Sequence, residues 1–253
     1  MKYYMELSQF NIFTIEDAMK IIGNLPAAKK YIKSLIDTGL VHRIKRNLYT
    51  CVNVTNGDDI ANRFQIGSNI NDNSYISYHS AFEFYGFYNQ VYYEVQVSSN
   101  KKFTPFEYND YSYVNYLNNI NSQIDTIQGT KVTSIERTIV DSVDMLGKVM
   151  DLEEFVKCLD LIHIVKESKL KEILDAYGKE VLYRKVGYIL SFYKEEFDIS
   201  DSFFDFCLKN GVNTNRGYLV NNSKEELTYN SFWGLYVYPN IRNLYNKGEM
   251  LDV

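Results

Sequence analysis

The chain has 253 residues, of which 45% are hydrophobic and 23% are charged, a composition typical of a globular protein with a buried core. It contains no run of about 18 apolar residues, as a membrane-spanning helix would need, and its first residues lack the apolar run of a secretory signal. We therefore expect a cytoplasmic protein that does not contact a membrane.

The net charge of −5 would argue against nucleic acid as a partner, but the charges are unevenly distributed. The first 50 residues hold eight Lys or Arg and four Asp or Glu, a net charge of +4, which leaves −9 for the remainder. A basic N-terminal segment followed by an acidic remainder is the pattern expected of a DNA-binding domain joined to a domain that does not bind DNA.

Two short helices are predicted in the basic segment. Thr14 and Asp17 fit a capping box at the start of the first, and Gly23 fits its end. Pro26 favours the first turn of the second, which we expect over residues 26–38 with another glycine after it. Two helices joined by a tight, glycine-containing turn are typical of a helix-turn-helix.

The second helix has an apolar face and a basic face. Residues recurring at helical spacing predict the buried face: Ala28, Tyr31, Ile32, Leu35 and Ile36. The opposite face carries Lys29, Lys30 and Lys33. A recognition helix enters the major groove and reads base edges there, so we predict DNA contacts for these lysines and for Ser34, with Asn24 and Ala27 also near the bases. The alternative is that the lysines only form the solvent-exposed face of an amphipathic helix.

A basic hairpin is predicted after this helix. Residues 40–44 and 48–52 alternate as two strands, and Lys45, Arg46 and Asn47 form the tip, where asparagine tolerates a left-handed backbone. Such a wing contacts phosphates, so we add Arg43, Lys45, Arg46 and Asn47 to the predicted DNA-binding residues. The first domain is then a winged helix-turn-helix over residues 1–56.

Residues 57–253 are predicted to form a larger mixed domain with helices concentrated toward its end, so that the fold class is α+β. The predicted helices cover residues 77–86, 135–146, 151–163, 167–177, 179–194 and 202–210. The predicted strands cover residues 91–98, 102–108, 111–116, 124–127 and 130–132, with a short strand or irregular segment at 232–237. Thr133 and Glu136 fit a capping box for the helix that begins at 135.

No catalytic or metal-binding motif is recognised, and we expect no enzyme activity and no cofactor. The three cysteines are widely spaced, form no CxxC pair, and have no histidine beside them in sequence: Cys51, Cys158 and Cys207. Asp141 and Asp144 are interpreted as exposed or capping residues rather than a carboxylate pair. Glu136 is interpreted as a capping glutamate, and Arg137 as tying its helix to a strand through a buried ion pair.

Several segments, taken in order, resemble the AbiEi antitoxin family, the regulators of AbiE abortive-infection systems. These systems act in phage defence and are regarded as type IV toxin–antitoxin pairs. The matching segments are Gly39–Tyr49, Tyr75–Ala81 with Gly86, Thr133–Asp141, Lys185–Leu190 and Trp233–Leu235. The resemblance spans most of the chain. Asn47 departs from it, since the family usually has glycine at the turn of the wing, but asparagine can adopt the same backbone region.

The resemblance implies a transcriptional repressor that binds inverted repeats in double-stranded DNA upstream of its own operon. It also implies that the C-terminal domain acts as an antitoxin against a nucleotidyltransferase-like toxin, without direct binding to it, and gives Glu136 and Arg137 a possible part in antitoxicity. No dimerisation helix is evident, which leaves open a monomer in solution that binds cooperatively on DNA.

Two other functions remain open at this stage. One is a winged-helix regulator whose C-terminal domain senses a small ligand. The other is a nuclease or transferase guided to DNA by the N-terminal domain, although the chain lacks the clustered carboxylates that such an enzyme would use.

Overall fold

The structure, a computed structural model, describes residues 3–212, 215–220 and 227–244. Within these ranges the fold is mixed, with both helices and strands, in agreement with the predicted α+β class. The helices are α1 (Tyr4–Leu7), α2 (Ile15–Ile22), α3 (Leu25–Asp37), α4 (Arg63–Ser68), α5 (Tyr78–Tyr85), α6 (Ile135–Asp144), α7 (Leu152–Asp160), α8 (Glu167–Tyr177), α9 (Glu180–Leu190) and α10 (Asp201–Asn210).

The strands lie mostly in the middle of the chain. They are β1 (Val41–Lys45), β2 (Leu48–Cys51), β3 (Tyr75–Ile76), β4 (Glu94–Ser99), β5 (Phe106–Tyr108), β6 (Tyr111–Leu117), β7 (Ile124–Ile127), β8 (Thr130–Thr133), β9 (Gly217–Tyr218), β10 (Thr228–Asn230) and β11 (Leu235–Val237). Most predicted elements are confirmed. Helix α4 is not among the predicted helices, and the strand predicted over 102–108 is confined to its last three residues.

The chain folds into two compact units that are discontinuous in sequence. The first comprises the chain up to Ile76, Tyr93–Asn118 and Thr126–Val132, and the second comprises Ser77–Tyr92, Asn119–Asp125 and the described residues from Thr133 onward. A boundary at residue 56 falls inside the first unit. Whether residues 1–56 fold on their own therefore stays a prediction.

Local capping interactions define the helices of the N-terminal segment. The Thr14 and Asp17 capping box is present, and Gly23 ends α2 with a φ of +101°, a conformation that side-chain-bearing residues avoid. The Asn24 side chain caps α3 by accepting a hydrogen bond from the Ala27 amide at 2.9 Å. As a result, only two residues separate the two helices.

The apolar faces of these helices pack against the β1–β2 hairpin. Their common core is formed by Tyr4, Leu7, Phe13, Ala18, Ala28, Ile32, Leu35, Val41, Tyr49 and Cys51. Phe13 and Tyr49 exchange two backbone hydrogen bonds of 3.0 Å, so the residue before α2 lies directly beside β2. Ile36, which was predicted to be buried, is 36% exposed because it lies at the edge of the apolar face.

A six-stranded mixed sheet follows in the order β5-β6-β4-β3-β8-β7. Strand β4 pairs parallel to β6 and antiparallel to β3, and β3 in turn pairs parallel to β8. Gly67 allows α4 to approach this sheet closely, since a Cβ atom at that position would lie 2.8 Å from Ile76 Cδ1. The absence of a side chain at Gly67 is therefore a packing requirement of the first unit.

The second unit is mainly helical. Helix α6 packs against α5, α8 and α9, and α9 packs against α10. A three-stranded sheet in the order β10-β11-β9 completes the part of this unit that the structure describes. Gly187 in α9 faces the indole ring of Trp233, and a Cβ atom there would lie 2.4 Å from it. This contact joins α9 to the segment just before β11.

Candidate nucleic-acid interface

The predicted recognition helix α3 exposes its basic residues. Lys29, Lys30, Lys33 and Ser34 are all exposed, whereas Ala28, Ile32 and Leu35, which lie on the opposite face, are at most 5% exposed. Within the described residues none of the three lysines is in an ion pair. Their ammonium groups are therefore available to a ligand outside the chain.

A cleft joins the start of α3 to the β1–β2 hairpin. Its volume is about 390 Å³, and it is lined by Ile15, Glu16, Leu25, Lys29, Arg43, Arg46, Asn47 and Tyr49. The cleft thus brings one lysine of the helix together with two arginines of the hairpin, residues that are at least 14 positions apart in sequence. Three cations lining one concave surface favour the binding of an anion such as a phosphate group.

Asn47 holds the hairpin tip against α2. Its backbone is left-handed, with a φ of +61°, as the sequence predicted. Its side-chain oxygen accepts a hydrogen bond from the Ile15 amide at 2.9 Å, and its side-chain nitrogen donates one to the Glu16 carboxylate at 2.7 Å. This donated bond is the main cause that lowers the pKa of Glu16. A contact of Asn47 with DNA stays a prediction, while its contacts with α2 are evident.

Lys45 does not line this cleft and instead lies against aromatic rings at the six-stranded sheet. Its ammonium nitrogen lies 4.7 Å from the centre of the Phe106 ring and 5.3 Å from that of Phe103. Burial against these rings lowers the pKa of Lys45. The contacts are of the cation–π type and hold the hairpin to the sheet. This geometry does not test the predicted contact of Lys45 with phosphate. To make that contact, its ammonium group would have to move away from these rings.

A second set of contacts joins the hairpin to other parts of the first unit. His42 Nδ1 lies 2.8 Å from an oxygen of the Asp59 carboxylate. The other carboxylate oxygen accepts hydrogen bonds from the Tyr108 hydroxyl and the Asn109 amide, each at 2.7 Å. Burial and the hydrogen bond to Asp59 raise the pKa of Tyr108. No local sequence signal indicates this network, because its members come from separate turns and strands.

Glu136 and Arg137 have structural partners that differ from those predicted. Ser134, not Thr133, caps α6, so the predicted capping box is wrong, and Glu136 instead accepts a hydrogen bond from the Lys166 amide at 2.9 Å. Its other oxygen lies 4.0 Å from the Lys169 ammonium group. Glu136 therefore connects α6 to the start of α8.

Arg137 is completely buried and forms an ion pair within its own helix. Its Nε donates to the Asp141 carboxylate at 3.2 Å, and its guanidinium also donates to the Ser122 backbone carbonyl. The buried ion pair is confirmed, but its partner is one turn along α6 rather than on a strand. Asp141 further accepts a hydrogen bond of 2.6 Å from the Tyr177 hydroxyl.

The interpretation of Asp141 as an exposed or capping residue is wrong, because its carboxyl group is fully buried. Burial is the dominant effect on this group and raises its pKa. Asp144, one turn further along, forms an ion pair with Lys179 at 2.7 Å. Neither carboxylate is arranged with the other as a metal or acid–base pair, since each is engaged by a different basic partner.

All three cysteines are buried and none forms a disulfide. Burial raises the pKa of the Cys51 and Cys207 thiols to about 12 and raises that of Cys158 as well. In the described part of the chain, no helix is long and apolar enough to cross a membrane.

Comparison with known proteins adds a likeness of fold. No protein-family model matches the chain, and no curated protein matches it. Among solved structures, the chain is similar to a crystal structure of the RV2827C protein from Mycobacterium tuberculosis, with a TM-score of 0.66 and 13% sequence identity. The match covers 97% of this chain and 93% of that one. At this identity the likeness concerns the fold alone.

Proposed function

We propose that the N-terminal residues form a winged helix-turn-helix that binds double-stranded DNA and that the protein is a transcriptional repressor. The observation that carries this proposal is the grouping of Lys29 with Arg43 and Arg46 around one cleft, beside the exposed lysine face of α3. A structural role alone does not require three cations to line one exposed cleft, whereas a polyanion is stabilised by that arrangement.

The dimensions of α3 suit the proposed role. Its 13 residues would extend for about 20 Å at 1.5 Å per residue, and its polar face is free of ion pairs within the described part of the chain. The major groove of B-DNA, about 12 Å wide, accommodates such a helix. In this arrangement the hairpin tip with Arg46 would contact the adjacent phosphate backbone. Lys29, near the start of α3, would face the cleft between this helix and the hairpin.

The repressor would act on its own operon through inverted repeats, and the remainder of the chain would act as the antitoxin. This part of the proposal rests on the resemblance to the AbiEi family and on the charge of −9 outside the first 50 residues, which disfavours DNA as the ligand of that region. The functional partner would be a nucleotidyltransferase-like toxin of the same cytoplasm, countered without direct binding and without an enzymatic activity of this protein.

The test is a titration of the full chain with the DNA upstream of its gene at several salt concentrations. A Lys29→Ala/Lys30→Ala/Lys33→Ala variant should bind more weakly, and its plot of log affinity against log salt should be flatter, because each phosphate contact contributes about 0.9 to the slope. If all three lysines contact phosphate, the slope should decrease by about 2.7.

A matched variant controls for the loss of positive charge. Lys101, Lys148 and Lys209 are also exposed and lie outside the first 50 residues. Their combined replacement by alanine should change the affinity little and leave the slope unaltered. Equal weakening by both triple variants would place the DNA contact elsewhere, and unchanged binding by the folded α3 variant would contradict the proposed recognition helix.

A further inference from the structure

Two helices of the second unit bring four potential ligand side chains together in its interior. His79 and Glu83 are one turn apart on α5, and Glu154 and Cys158 are one turn apart on α7. All four are buried, and His79 and Cys158 are completely inaccessible to solvent. Residues four positions apart lie on one face of a helix, so each helix presents a pair of polar groups in the same direction.

The geometry of the cluster is compact. His79 Nε2 lies 3.0 Å from the Glu154 carboxylate, and Cys158 Sγ lies 3.7 Å from the same oxygen. The three ligand atoms all lie within 4.8 Å of one another. Tetrahedral ligands at zinc, with bonds of about 2.0–2.3 Å, are separated from each other by about 3.3–3.8 Å. Only small side-chain movements would therefore be needed to place one ion between them.

The other imidazole nitrogen lies near a second buried carboxylate. His79 Nδ1 lies 3.2 Å from the Glu83 carboxylate, which also accepts a hydrogen bond of 2.6 Å from the Tyr92 amide. The imidazole ring stacks on the Tyr92 ring with 3.7 Å between ring centres. A metal on Nε2 requires the tautomer in which Nδ1 carries the proton, and the Glu83 carboxylate lies where it could accept that proton, an arrangement common at metal-binding histidines. Nε2 is hydrogen-bonded to the Glu154 carboxylate in this structure, so binding of an ion would replace that hydrogen bond.

We propose that His79, Glu154 and Cys158 bind one divalent transition-metal ion of the zinc type, with Glu83 orienting the histidine. A mixed set of nitrogen, oxygen and sulfur ligands suits Zn²⁺ better than Mg²⁺ or Ca²⁺, which prefer oxygen alone. Binding releases the proton of the Cys158 thiol to solvent and requires Nε2 to be unprotonated. Three protein ligands leave a fourth coordination position for water or another small ligand.

This inference does not depend on the proposed DNA binding. The cluster could not be recognised from sequence, because no two of its metal ligands except Glu154 and Cys158 are near each other in the chain. His79 and Cys158 are 79 positions apart, and no short motif links the histidines to the cysteines. The tertiary contact between α5 and α7 brings them together.

The experiment titrates the metal-free full chain with Co²⁺, which substitutes for zinc and reports a bound thiolate through a sulfur-to-cobalt charge-transfer band. A Cys51→Ser/Cys207→Ser variant keeps Cys158 as its only thiol and should show the band at one ion per chain. Cys158→Ser should lose the band. Glu83→Gln should retain it but bind about 10- to 100-fold more weakly, as expected when a group that orients a ligand is altered.

Far-ultraviolet circular dichroism of each variant checks that it is folded. If Cys158→Ser fails to fold, the variant with Cys158 as its only thiol still decides the assignment, because any charge-transfer band in it must arise from that sulfur. Absence of stoichiometric binding by the folded wild-type chain would overturn the proposal. So would a charge-transfer band that persists in folded Cys158→Ser.

Discussion

Asn47 offers the most discriminating perturbation of the proposed DNA-binding region, because its backbone and its side chain make separate contributions. An alanine at a left-handed position costs about 1–2 kcal/mol, and loss of the hydrogen bond to the Ile15 amide adds about 1 kcal/mol. We expect Asn47→Ala to lower the free energy of unfolding by about 2–3 kcal/mol. Asn47→Gly accepts the left-handed backbone and should lower it by only about 1 kcal/mol.

The two variants should affect DNA affinity alike, since both free the hairpin tip from α2. Amide hydrogen exchange at Ile15 measures this release directly, and urea unfolding measures the stability. Gln128→Gly is a suitable control because Gln128 also has a positive φ, of +49°, but lies in the turn before β8. It should leave both the DNA affinity and the Ile15 exchange rate unchanged.

The Asn47 hydrogen bond also predicts a pH dependence. It lowers the pKa of Glu16 in the folded protein. A carboxyl group whose pKa is lowered by folding contributes stability above its unfolded pKa of about 4.3, and this contribution is lost as the pH falls through the folded value. The stability difference between wild type and Asn47→Gly should therefore be larger at neutral pH than at a pH below the lowered pKa of Glu16. Equal stability of the Ala and Gly variants, or full Ile15 protection in both, would refute this account of Asn47.

The remaining predictions concern the second unit and the proposed separation of DNA binding from antitoxicity. Arg137→Met should destabilise the fold by about 3–5 kcal/mol in urea unfolding because it leaves the buried Asp141 without its cationic partner, whereas Arg137→Met/Asp141→Leu should recover much of the loss; no recovery would argue against the ion pair as the cause. Gly187→Ala should destabilise by about 1–3 kcal/mol and shift the fluorescence of Trp233, the only tryptophan; an unchanged spectrum would contradict the close contact. The α3 triple-lysine variant should lose repression in a reporter assay yet still protect cells from the toxin; loss of both would mean that protection acts through repression.

Point variants test this division of labour better than a truncation at residue 56. Such a cut would pass through the first compact unit, which also contains β4 and β6. The contacts of Lys45 with Phe103 and Phe106 would be lost in the N-terminal fragment. A failure of that fragment to bind DNA would then reflect the loss of packing around the hairpin as much as the loss of any DNA contact.

Local features of the sequence were sufficient to predict local structure. The capping box of Thr14 and Asp17, the end of α2 at Gly23 and the left-handed Asn47 each depend on interactions between residues a few positions apart. The exposed lysine face of α3 follows from helical periodicity, which the spacing of apolar residues reveals directly. For the same reason most helix and strand positions were predicted correctly.

The tertiary structure decided which side chains contact one another, because folding brings together residues that are distant in sequence. The packing of the hairpin determines which cations share the cleft. It also places Lys45 outside the cleft, against Phe106. Arg137 illustrates the limit even within a helix: its spacing allows Asp141 as a partner, but only burial of that face excludes water and makes the pair obligatory. The approach of His79 to Cys158 is decided in the same way, by the packing of α5 and α7, which no local pattern encodes.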